Sequence, residues 1–322
     1  MSIKNKISFH KNTESKQGTF REYEDGISVI IPSYKAQNHI KPLLDSLEKQ
    51  TLNPSSFDLI FILNGELDST IYILEDFMKR NPELNVLVTF TSVGGVSNAR
   101  NLGLSIAKRE FVTFVDDDDF ISPNYLKKLY QYSKPNRIVM TNFMDVIEET
   151  GEKIESRVVP FSVSQHGLIE NAYVDFQSLI NVTVAKIIPT YAAKQVEFNT
   201  ALRSGVDVSY YSRLYAKFDF EFYFIDKKEE ATYYRIIRSG SISRQKLTFD
   251  FNVIQRLQVI DDINRAFEYT DDEIKIDYLK LRTLGQCSFM IRYLREYPED
   301  KQRVIDEIEK HNLTYFPYEK LP

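Results

Sequence analysis

Tryptophan is absent from the 322 residues, and cysteine appears once, at Cys287. A single thiol excludes an intramolecular disulfide framework and any multi-cysteine zinc site. The four histidines, His10, His39, His166 and His311, are too scattered for a His-rich metal motif. No apolar run approaches the roughly eighteen residues of a membrane span, so no transmembrane helix is expected. Residues 1–26 are polar and charged and lack the apolar segment of a signal peptide, and on that ground the chain is read as cytoplasmic. Basic charge is not in excess: 41 Lys and Arg against 46 Asp and Glu give a net charge of −5, which argues against a general nucleic-acid binder. What is present is ordinary globular material, 43% hydrophobic and 27% charged, with 22 Phe and 20 Tyr for a core. The length allows two domains, or one large α/β domain with an appendage.

The apolar residues fall into short blocks. Residues 27–31 read as a strand covered on both faces and stopped by Pro32, and 57–63 as a second, ended by Asn64-Gly65. Between them Ile40, Leu43, Leu44 and Leu47 recur at helical spacing. A helix over 69–80, a strand over 86–90, a helix over 98–107 and a strand over 111–115 follow, with Gly94-Gly95 as a break. Such alternation with short connections predicts a doubly wound, mostly parallel sheet of the α/β class. Ligands of these sheets collect at the carboxyl ends of the strands. Pro32-Ser33-Tyr34, Asn64-Gly65-Glu66 and Asp116-Asp117-Asp118-Asp119 stand at those ends. Beyond 121 the pattern is mixed, with strands over 137–140 and 221–225 and a helical piece over 207–214. From Phe249 onward it is helical, through 277–297 and 300–311. The expected division is an arm over 1–26, a sheet domain over 27–245 and a helical region over 246–322.

Four consecutive aspartates at a strand end are costly: two carboxylates about 6 Å apart repel by roughly 3 kcal/mol at an effective dielectric near 20. On extended backbone Asp116 and Asp118 would face one way, Asp117 and Asp119 the other. One such pair facing a crevice is a hard-oxygen site for Mg²⁺ or Mn²⁺, completed by a diphosphate. The alternative is a solvated acidic turn or helix cap.

The segments 28–34, 43–47 and Gln50-Thr51 resemble the opening of family 2 glycosyltransferases. Gly95-Val96-Ser97-Asn98-Ala99-Arg100-Asn101-Leu102-Gly103-Leu104 is similar to that family's G-x-S-x-A-R-N-x-G-L segment, and Phe114-Val115-Asp116-Asp117-Asp118-Asp119 to its D-x-D-D strand. Order and spacing match over about residues 27–130. The resemblance implies a GT-A fold, a nucleotide-sugar donor, a divalent cation (Mn²⁺ or Mg²⁺) and inversion at the anomeric carbon. It implies that Asp118 ligates the metal, that Asp116 lies near the ribose and metal with Asp117 also among the donor-binding residues, and that Arg100 lies near the donor's nucleotide and diphosphate. Pro32 and Tyr34 would line the nucleobase pocket.

Two departures stand out. Where the family carries D-D-x-S-x-D after the second strand, this chain has Leu63-Asn64-Gly65-Glu66-Leu67-Asp68, and the amide oxygen of Asn64 is the expected acceptor for the N3–H of uracil. Downstream, Ser204-Gly205-Val206-Asp207 resembles the family's acidic pair with Val206 in place of Glu, which makes Asp207 the candidate catalytic base. A helix N-terminus alone would also favour an aspartate there. Arg238 and Arg244, around Gly240, are the candidate diphosphate contacts of a following loop. Lys280, Arg282, Arg292 and Arg295 on the 277–297 helix read as the solvated face of a packing helix, with approach to an anionic membrane as the alternative.

These readings converge on an inverting hexosyltransferase moving sugar from a UDP-sugar to a hydroxyl of a glycan, teichoic-acid or lipid-linked acceptor. The alternatives are a non-catalytic nucleotide-sugar-binding scaffold subunit, kept alive by Val206 and Asn64, and a metal-dependent nucleotidyltransferase. The chain has no Gly-rich phosphate loop ending in Lys-Ser or Lys-Thr to support a P-loop form of the latter. Peripheral association with the inner membrane face and homo-oligomerisation are left open by the residues.

Overall fold

The computed structural model describes residues 6–9, 23–159, 165–238 and 247–322. They divide into two compact units, one of 1–197 with 220–239, the other of 198–219 with 240–322.

The first unit is built on strands β1 (Lys6–Phe9), β2 (Glu24–Ser33), β3 (Phe57–Asn64), β4 (Asn85–Thr91) and β5 (Arg109–Phe114). Helices α1 (Lys41–Leu47), α2 (Thr70–Arg80) and α3 (Val96–Ile106) alternate with β2 to β5. Further on come β6 (Phe120–Ile121), α4 (Tyr125–Tyr132), β7 (Arg137–Met140), β8 (Asn142–Ile147), β9 (Lys153–Glu155) and β10 (Gly167–Ile169). Short helices α5 (Ala172–Asp175) and α6 (Gln177–Asn181), strand β11 (Lys186–Pro189) and helix α7 (Thr190–Ala193) complete this stretch.

The main sheet has nine strands among the described residues, in the order β1-β4-β3-β2-β5-β11-β7-β12-β10, with β12 at Glu221–Phe224. From β1 to β5 every pairing is parallel. β11 then enters antiparallel between β5 and β7, and β10 pairs antiparallel with β12. The apolar runs explain the parallel half: Ile27, Val29, Ile30, Ile31, Leu59, Ile60, Phe61 and Ile62 are all buried, as strands covered on both faces require. The expected doubly wound, mostly parallel α/β sheet is therefore present, with an antiparallel insertion. The residues expected to form an arm contribute two pieces of it, since β1 pairs with β4 and β2 begins at Glu24.

A second sheet, β6-β13-β8-β9 with β13 at Thr232–Ile237, lies in the same unit. Its β13 pairs antiparallel with β6, just after the aspartate run.

Helix α3 lies close on β2 because Gly103 has no side chain: a Cβ there would come within 2.3 Å of Ile30 Cγ2. Gly103→Ala should therefore cost about 1–3 kcal/mol in a urea or thermal unfolding measurement, as overpacked interfaces do.

The second unit contains α8 (Val206–Lys217), α9 (Gln255–Ala266), α10 (Glu273–Glu296) and α11 (Lys301–Ile308). Its core joins Val253, Leu257, Ile260, Cys287, Met290, Leu294, Val304 and Ile308. Segment 198–219, expected within the sheet domain, packs instead with these helices. The reason is visible in its polar anchors: Asn199 Nδ2 and Ser209 Oγ both donate to the buried Asp262, at 2.8 and 2.6 Å, and Lys275 pairs with Asp219 at 2.6 Å. On α10, Lys280 pairs with Asp277 and Arg292 and Arg295 are exposed, while Leu279, Cys287 and Met290 are buried, which fits a packing helix with a solvated face. Arg282 departs from that face, being partly buried over Tyr278. No described helix is long and apolar enough to cross a membrane.

Candidate active site

The carboxyl ends of β2, β3 and β5 open onto a cavity of about 930 Å³ in the first unit. Its lining includes Pro32, Tyr34, Asn64, Arg100, Asp116, Asp117 and Asp118, so seven of the expected site residues come together from four separate chain segments. This is where a parallel sheet leaves its crevice.

After β5 the chain does not stay extended. Val115 N–H donates to Ile30 O at 3.1 Å, and Asp119 N–H then donates to Asp116 O at 3.3 Å, closing a turn over the aspartates. The alternation expected from extended backbone is thereby corrected, because a turn brings three consecutive carboxylates to the cavity and sends the fourth inward. Asp119 is 3% exposed. Its Oδ2 accepts from Tyr233 Oη at 2.7 Å and its Oδ1 from Ile236 N–H at 2.9 Å. Burial first, then the charges of Asp116 and Asp118, hold its carboxyl well above the usual carboxylate range. The same Tyr233 oxygen accepts from Asp116 N–H at 3.1 Å, so one buried phenol fixes both ends of the turn to β13.

Each cavity-facing aspartate has its own partner. Arg100, 5% exposed on α3, donates to Asp116 Oδ1 at 3.3 Å. Tyr34 N–H donates to Asp117 Oδ2 at 3.0 Å, while the Tyr34 ring is 53% exposed at the cavity. Arg238 bridges Asp118 Oδ2 at 2.8 Å and Glu148 Oε1 at 2.9 Å. Burial works against the Arg238 cation, but Glu148 and Asp118 outweigh it and its pKa is raised. Arg244 and Gly240 lie outside the described residues.

The carboxylates of Asp116 and Asp118 fit a hard divalent cation in donor chemistry and access, each side chain being 36% exposed. Among the described residues no three His, Cys, Asp or Glu side chains form a preformed metal cage. A cation held here would accordingly draw further ligands from a bound diphosphate and water.

Sequence reasoning overlooked two partners. Glu148 follows β8, and nothing in its spacing marks it as the second anchor of Arg238. His39 was visible only as one of four histidines; its Nε2 lies 3.6 Å from Asp117 Oδ1. The nearby Asp117 carboxylate raises the imidazole pKa, burial and Arg238 oppose it, and Asp118 adds to it. A raised folded-state pKa stabilises below the unfolded value near 6.5, and that contribution is lost as pH rises through the folded value. Thermal unfolding should thus show stability falling as pH rises past about 6.5, by less than about 1 kcal/mol from this pair, and His39→Gln should remove that component.

Asp207 belongs to the second unit, in the first turn of α8 behind Gly205. Its N-cap, Gly205, has no side chain to cap the helix, and the helix dipole suits a carboxylate charge in its first turn.

The family model for "Glycosyl transferase family 2" matches residues 28–196. The chain is 27% identical over 257 residues to the poly(ribitol-phosphate) beta-N-acetylglucosaminyltransferase TarS of Staphylococcus aureus, covering 78% of this chain and 43% of that protein. It is 26% identical over 212 residues to the poly(ribitol-phosphate) beta-glucosyltransferase of Bacillus spizizenii, covering 63% of this chain and 32% of the relative. It thus spans between a third and a half of the length of these curated relatives. Among solved structures, S. aureus TarS 1–349 in complex with UDP-GlcNAc superposes with a TM-score of 0.65 at 23% identity, covering 84% of this chain and 73% of that one. That likeness establishes a shared fold.

Proposed function

The chain belongs to glycosyltransferase family 2, and from that premise we propose that it transfers a sugar from a UDP-sugar, with inversion, to a hydroxyl of a phosphate-containing surface polymer. The observation that carries the reading is the cavity at the strand ends, where three aspartates and Arg100 surround space for a nucleoside diphosphate. The polymer class rests on the relatives, both named for transfer to poly(ribitol phosphate), and the UDP-sugar on the fold neighbour solved with UDP-GlcNAc. The reading includes action in the cytoplasm.

In this mechanism Tyr34 offers a ring face to the nucleobase, and Pro32 shapes the floor beside it. Arg100 and Arg238 supply guanidinium donors to the diphosphate as negative charge develops on it. Asp116 and Asp118 would hold a divalent cation, which when bound neutralises the leaving diphosphate. Asp207 takes the proton from the acceptor hydroxyl as its oxygen attacks the anomeric carbon from the face opposite the departing group.

The test is release of nucleoside diphosphate from a panel of UDP-, GDP-, CDP- and TDP-sugars with Mn²⁺, with and without poly(ribitol phosphate). Acceptor-dependent release of UDP is the expected result. Donor binding without release under any acceptor would turn the reading into that of a binding subunit.

A further inference from the structure

The strand-end residue expected to read the nucleobase is already committed within the chain. Asn64 closes β3, is 6% exposed, and has both amide atoms engaged. Its Nδ2 donates to Ser33 O at 2.8 Å, and its Oδ1 accepts from Gly95 N–H at 3.1 Å. Those partners lie 31 residues before it and 31 after it, on the two segments that flank β3 in the cavity wall. Ser33 precedes Tyr34, whose own N–H is taken by Asp117. Gly95 is the residue before α3, with φ 115° and ψ 135°, a conformation that only glycine adopts readily. Within α3, Asn98 Nδ2 donates to Gly94 O at 3.0 Å, and the amide of Asn64 ties the Gly95 side of the same turn to β3. From α3, Arg100 reaches Asp116.

Resting on the nucleotide-sugar reading above, we propose that Asn64 is a positioning residue that ties the ends of β2 and β3 to the start of α3, and that it does not itself contact the base. Base recognition then falls to main-chain groups and the Tyr34 ring on the segments that Asn64 holds. The residue type follows from the geometry. One side must donate to a carbonyl and the other accept from an N–H, and an amide does both while a carboxylate does not. An aspartate at this position would set a carboxylate oxygen against Ser33 O with no hydrogen between them.

Asparagine and aspartate therefore give opposite outcomes under the two roles. A base reader would gain from Asn64→Asp, because a carboxylate accepts more strongly from the N3–H of uracil. A strut would lose. Calorimetry of UDP, CDP, GDP and TDP with Mn²⁺ should show Asn64→Asp and Asn64→Ala each weakening all four, UDP by about tenfold. The UDP-to-CDP affinity ratio should stay within about twofold of wild type. Tighter UDP binding by Asn64→Asp, or a ratio collapsing towards one in Asn64→Ala, would overturn the proposal. Hydrogen exchange of the Gly95 amide in the wild-type chain decides the matter even where a variant does not fold. The strut keeps that amide protected without nucleotide and equally protected with UDP. A reader releases it when UDP binds. Failure of the wild type to bind any of the four nucleotides would refute the nucleotide-sugar reading separately, and exchange in the nucleotide-free chain would still report on the strut.

Discussion

Asp207→Asn should leave UDP affinity within about twofold of wild type while turnover falls by a hundredfold or more, the loss expected for a general base. The substitution keeps size and shape, so α8 retains its first turn, but an amide cannot take the acceptor's proton. A modest stability loss of about 0.3–1 kcal/mol accompanies it, because a negative charge leaves the first turn of a helix whose N-cap is a glycine. Thermal unfolding separates that small effect from the kinetic one. Calorimetry with UDP and Mn²⁺ shows whether the donor site is intact, and acceptor-dependent UDP release reports the chemistry. Near wild-type turnover in the variant would move the role to another acid. Asp219 is a poor substitute as it stands, since Lys275 already holds it at 2.6 Å. Asp175, at the end of α5, would be the next to test.

The parallel half of the sheet was legible because each strand is an almost unbroken apolar run bounded by polar punctuation, and its ends named the cavity wall directly. The antiparallel insertion was not. Strand β11 begins with Lys186, which hides a charge in the core by donating from Nζ to Leu179 O at 2.8 Å and Ile180 O at 2.7 Å. A lysine at a fully buried position breaks the apolar signature that marks such a strand. A helix over 207–214 was legible but not its allegiance, which depends on the buried carboxylate of Asp262, more than fifty residues from Ser209 and Asn199. The aspartate run announced a site, yet periodicity mispredicted which carboxylates face it, because a turn hydrogen bond overrides strand alternation. Asn64 was found by position, but its hydrogen-bond partners were not. Nothing in a sequence states that both ends of an amide are already taken.

Removing one carboxylate should test the proposed cation site. In the wild type, UDP affinity is expected to be at least tenfold higher with Mn²⁺ than with a chelator, and in Asp118→Ala the two conditions should give the same value. The physical reason lies in the crowding of the turn. Three carboxylates line one cavity, and the fourth, behind them, is buried and pushed towards its neutral form. Arg100 lines the cavity and Arg238 sits against Asp118, so in the proposed roles both would serve a diphosphate, but each guanidinium is already paired with an aspartate of the run. Their charge is therefore largely spent before the donor arrives, and a divalent cation held by Asp116 and Asp118 would supply the missing positive charge. Asp118→Ala removes the expected ligand and at the same time frees Arg238 from one of its two anchors. Metal-independent binding should consequently hold at the wild-type chelator level or rise slightly, while the metal-dependent increment disappears. The fold should survive, since Asp118 is a third exposed and the turn is held by Asp119 and Tyr233. Equal wild-type affinity in metal and in chelator would mean that the two arginines alone carry the diphosphate and that the aspartates serve to position them.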